Sequence, residues 1–78
     1  MTETAERIRS RLQVRRGLPP PQERRELRTS TGLTQQELAD AVGVTRAAVS
    51  QWEKGVRTPR GSLLDRYIEA LNAMREAA

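Results

Sequence analysis

The sequence predicts an all-α fold of five helices in one compact domain, and three observations lead there. Apolar residues recur at helical spacing, and no stretch alternates apolar and polar as a half-buried strand does. Thr34 and Thr45 stand where helices start, and Gly17, Gly32, Gly43 and Gly55 where they stop. With 78 residues the chain has too little interior for two cores, so its helices must share one. The expected division is an N-terminal helix and proline connector over residues 1–18 and the main helical unit over 19–78.

In chain order, residues 4–16 read as the first helix. Ala5, Ile8 and Leu12 form its stripe at i, i+3, i+7, with Thr2 or Thr4 available as cap and Gly17 as its end. Pro19, Pro20 and Pro21 then forbid helix, except that a proline is tolerated at a first helical position. A second helix therefore begins near Pro20 or Pro21 and runs to about Thr31, with Leu27 inward. Thr34 and Glu37 have capping-box spacing and open a third helix with Leu38, Ala41 and Val42 on its apolar face. Thr45 caps a fourth, which turns Ala48, Val49 and Trp52 inward. After a loop from Val56 to Gly61, Ser62 and Asp65 cap the last helix, whose Leu64, Tyr67, Ile68, Leu71 and Met74 share one face.

Composition excludes several functions. There is no Cys and no His, which removes disulfides, thiolate metal sites and the commonest general base. Neither a metal nor a cofactor is expected, and no constellation of an enzyme is found. Asp65 and Glu69, at i, i+4, read as surface charges. No apolar run approaches the ~20 residues of a membrane span, and the N-terminus lacks the apolar core of a signal peptide. A cytoplasmic protein without membrane contact is the expectation. Charge is segregated. Residues 1–28 hold eight Arg against four Glu, and Arg46, Lys54, Arg57 and Arg60 outnumber Glu53 within 46–60, while 29–45 hold only Glu37 and Asp40. Two basic blocks around an acidic one suit a polyanion met on one side, or equally a solvated Arg-rich surface.

The informative stretch is QQELADAVGVTRAAVSQWEK, from Gln35 to Lys54. Two short helices crossing steeply over a tight turn need a small residue at the crossing and a turn residue tolerant of positive φ. Ala39 and Gly43 fill those places. Leu38, Val42, Val44, Val49 and Trp52 supply the shared core. So many fixed offsets, with a Thr cap before each helix, make a helix-turn-helix. The segment GLTQQELADAVGVTRAAVSQWEKGVRTPR resembles the phage-repressor, or Cro-like, helix-turn-helix family, also called the xenobiotic-response-element type. The resemblance covers about Arg24 to Leu71.

The resemblance implies that the helix after Thr45 lies in the major groove of double-stranded DNA, with Thr45, Arg46, Ala47, Ser50 and Gln51 toward base edges. It places Gln35 on a phosphate and pairs Arg28 with Glu53. Side-chain chemistry agrees. Arg46 can bond guanine O6 and N7, or else a phosphate; Gln51 can bond adenine N6 and N7, or else water. The Ala47 methyl can meet a thymine methyl. Thr45 and Ser50 suit phosphate as well as base. Lys54, Arg57, Thr58 and Arg60 follow along a phosphate strand, or lie in a solvated loop. Trp52 could stack an unpaired base, but its apolar face makes it core, and Tyr67 reads likewise. RNA binding lacks support, since neither an RRM-type aromatic pair nor a KH-type loop occurs.

The function expected is a sequence-specific transcriptional regulator, a repressor of bacterial or phage origin, binding double-stranded DNA as a homodimer or as two copies. The other reading is a protein-interaction module, such as an antitoxin with a DNA-binding fold. Two departures from the family stand out. Residues 1–18 have no counterpart, and the family's final, dimer-forming helix is missing. The simplest expectation is that the first helix folds back into that vacancy and buries Ile8 and Leu12 against Leu71 and Met74, with Arg7, Arg11 and Arg15 on another face. The rival is that it pairs with its copy in a second chain.

Overall fold

The computed structural model describes residues 3–15 and 17–77. Five helices follow one another, α1 (Glu3–Arg15), α2 (Pro21–Ser30), α3 (Gln35–Val42), α4 (Arg46–Lys54) and α5 (Gly61–Ala77), with no strand among the described residues. Thr2, a candidate cap, lies outside them, as does the side chain of Arg15. Thr4 stands inside α1 rather than before it. None of the described helices is long and apolar enough to cross a membrane.

The helix boundaries follow from local chemistry. Pro21 opens α2, where its missing N–H costs nothing. Thr34 and Glu37 form the full capping box: the Glu37 N–H donates to Thr34 Oγ1 at 3.0 Å, and the Thr34 N–H to Glu37 Oε1 at 3.1 Å. Gly43, at φ 88°, ends α3 in the left-handed conformation that a side chain resists. Thr45 Oγ1 accepts the Ala48 N–H at 3.1 Å and starts α4. The start of α5 differs from expectation. It begins at Gly61, so Ser62 stands in its first turn and not before it.

The closely packed pairs are α3 on α4, α2 on α4, and both α2 and α3 on α5. Their core is Leu18, Leu38, Ala39, Val42, Val49, Trp52, Leu64, Tyr67, Leu71 and Met74. Ala39 is fully buried at the crossing of α3 and α4, as its size requires. Ala41 is exposed, against expectation. At 100° per residue it falls about 110° from the middle of the face formed by Leu38, Ala39 and Val42. Trp52 and Tyr67 meet with ring centroids 4.7 Å apart and planes at 46°, so Trp52 is core. Leu27 is half-buried against this core, and the buried residues of α2 are instead Arg24 and Arg28.

The fold-back of α1 is corrected by the structure. Ile8 is 54% and Leu12 51% exposed, while Leu71 and Met74 are buried without them. Leu18 takes part in that core instead. Delivered by the proline connector, it is 1% exposed and belongs to the core cluster that also holds Leu71 and Met74, so that core is closed without the stripe of α1.

Candidate nucleic-acid interface

The α4 helix offers one solvent-facing side. Thr45, Arg46, Ala47 and Gln51 are exposed and Ser50 is half-buried. Positions 46, 47, 50 and 51 recur at i, i+1, i+4, i+5 and so share a face. Ala48, one place on, is half-buried against the core, which leaves the Ala47 methyl as the outward one. The structure thus brings four of the residues expected to touch bases, Arg46, Ala47, Ser50 and Gln51, to one side of a helix whose other side is core, while Thr45 stands before that helix with its hydroxyl engaged as the cap.

Beside its apolar core contacts, α4 is held by buried polar ones. Arg28 Nε donates to Glu53 Oε2 at 2.6 Å and its Nη2 to Glu53 Oε1 at 2.9 Å, a two-pronged pair between α2 and α4. Arg28 Nη1 also donates to the Leu33 carbonyl at 2.9 Å. The bond to Glu53 raises the Arg28 pKa above its ordinary value, outweighing burial. Gln35, the first residue of α3, donates its Nε2 to Glu53 Oε1 at 3.2 Å. Its amide is therefore directed toward Glu53 in this structure, at the edge of the α3–α4 pair.

A second buried guanidinium was not foreseen. Arg24 is 4% exposed; its Nε donates to the Pro19 carbonyl at 2.7 Å and its Nη1 to the Trp52 carbonyl at 3.0 Å. It ties the connector and the last turn of α4 together, where the Trp52 carbonyl also accepts the Gly55 N–H at 3.3 Å and the helix end favours a cation. Burial lowers its pKa, and Tyr67 opposes that. The Tyr67 hydroxyl is buried without a hydrogen-bond partner among the described residues, and burial pushes its ionisation far upward. The only sequence signal for Arg24 was that it lies four residues before Arg28, on the same face of α2.

The end of α4 sets the loop beyond it. Gly55 adopts φ 73°, and a Cβ there would stand 2.9 Å from Pro21 Cγ. The Gln51 carbonyl accepts the Val56 N–H at 3.0 Å and the Arg57 N–H at 3.4 Å. Pro59 is buried, Thr58 half-buried, and Arg57 and Arg60 are exposed. The loop is thus pinned by its backbone and Pro59, with both arginines outward at the end of α4. Lys54, the last residue of α4, is exposed as well. Beside α4 runs a cleft of about 610 Å³, lined from α2 by Arg25 and from α4 by Arg46, Ser50 and Lys54, with Gln35 and Glu53 between. Arg25 had no motif to mark it.

A family model described as helix-turn-helix matches residues 25–74. The chain belongs to the helix-turn-helix family. In this helix-turn-helix chain α3 and α4 are the paired helices, and α1 and the connector precede the matched region. The chain is also 49% identical over 47 residues to a protein of Methanothermobacter thermautotrophicus named as an uncharacterized HTH-type transcriptional regulator. That match covers 60% of this chain and 68% of the relative. No solved structure matches.

Proposed function

We propose that the protein is a cytoplasmic DNA-binding transcriptional regulator, acting as a repressor, that lays α4 in the major groove of duplex DNA. One observation supports this above the rest: α4 is clamped from beneath by Arg24, Arg28 and Glu53 while Arg46, Ala47 and Gln51 stay exposed on its outer side. A rigidly held helix with unspent donors is what reading base edges requires. Arg46 and Gln51 are the base readers in this reading, with Thr45, Ala47 and Ser50 beside them. Gln35, Lys54, Arg57, Thr58 and Arg60 meet phosphates, fixing register. Repression follows by occupancy, since a bound operator excludes polymerase. Two copies occupy two half-sites.

Selection from a pool of random duplexes, followed by mobility shift, tests the proposal. The expected result is an enriched sequence with two half-sites centred about 34 Å apart. Failure to shift any duplex at low salt would leave a second reading, in which α1 docks a partner protein as in an antitoxin. The exposed Ile8 and Leu12 favour that reading.

A further inference from the structure

We propose that the cleft between α2 and the α3–α4 pair takes a phosphate of the DNA backbone, held by Lys54 and by Arg25, a residue outside the helix-turn-helix motif. The inference rests on the DNA-reading role of α4 and extends it to α2. The Arg28–Glu53 pair, closed at 2.6 Å, joins the two helices across the cleft. Arg25 precedes Arg28 by three residues and Lys54 follows Glu53, so the pair brings these neighbours to the same cleft.

Charge in the cleft is unbalanced. Glu53 is its sole carboxylate, and Arg28 already neutralises it. Arg25, Arg46 and Lys54 remain, and none of the three makes a side-chain hydrogen bond or ion pair among the described residues. Three unpaired cations around one concavity repel each other, and the concavity focuses their field on an anion. The occupant is set by position. Arg46, Ser50 and Lys54, at i, i+4, i+8, line the cleft along one flank of α4, while Ala47 and Gln51 lie on the neighbouring flank. A helix seated in the major groove has a phosphate strand beside it, and the first helix of the pair, here α3, crosses that backbone; Gln35 and Gln36 at the start of α3 line the same cleft as Arg25. Arg46, at the first turn, stays available to the bases.

The test measures affinity for a random-sequence duplex across a salt series, for the wild type, Arg25→Ala and Arg75→Ala. Arg75 is a charge-matched control on α5, bonded to Asn72 and absent from the cleft. The expected result is a slope of log K against log salt flatter by about 0.9 for Arg25→Ala alone. A wild-type slope for Arg25→Ala, or equal flattening by Arg75→Ala, would overturn the cleft while leaving DNA reading intact. A wild type that binds no duplex would overturn both.

Discussion

Trp52→Ala is expected to remove most of the folding stability. Truncating a buried Trp costs about 3–5 kcal/mol, against the roughly 5 kcal/mol at the low end of domain stabilities, where so small a core belongs. Trp52 is 5% exposed, packs on Tyr67 at 4.7 Å, and belongs to the reading helix itself. The cavity would open between α4 and α5, so fold and DNA binding should fail together. Denaturant unfolding checks this. A variant with the wild-type midpoint would contradict a core role, and one that keeps its fold but loses only single-strand binding would restore the stacking role.

The second large effect is at Arg28 and Glu53. Their side chains are 11% and 3% exposed. Removing one partner of a buried pair strands the other charge, typically costing about 3–5 kcal/mol, whereas replacing both with apolar residues is often near neutral. Glu53→Leu should therefore destabilise more than the double variant Arg28→Met with Glu53→Leu, and so should Arg28→Met alone. Gln35 adds to the cost of losing Glu53, because its amide would lose its acceptor. A thermodynamic cycle over the four proteins measures the coupling, and a coupling of zero would remove the pair from the account.

The contrast between these residues and others shows what a sequence can disclose. The Thr34–Glu37 box, the Thr45 cap and the α5 face were legible because each is a local pattern whose cause lies within a few residues. Trp52 was legible because it sits in a periodic face. Arg24 was not, since an arginine on a polar helix reads as solvated until tertiary structure places the Trp52 carbonyl beside it. Leu18 had no periodicity to mark it, alone among a glycine and prolines. The fold-back of α1 could not be decided from its stripe, because an apolar stripe states that a cover is needed without saying which element supplies it. Within the candidate site, the exposed side of α4 was readable from spacing and from family resemblance. Arg25 and the cleft arise from α2 meeting α4, a contact between residues about thirty places apart, which no local window contains.

The central claim is that α4 reads bases, and Arg46→Ala addresses it most directly. The variant and the wild type are titrated with the enriched duplex and with each of its single-base changes, at one fixed salt concentration. If Arg46 holds a guanine through O6 and N7, the variant loses about 1–3 kcal/mol on the enriched duplex, and discrimination collapses at one base pair while the others keep theirs. Equal weakening on every duplex would make Arg46 a phosphate contact, and unchanged affinity on all of them would contradict the reading of DNA by this end of α4.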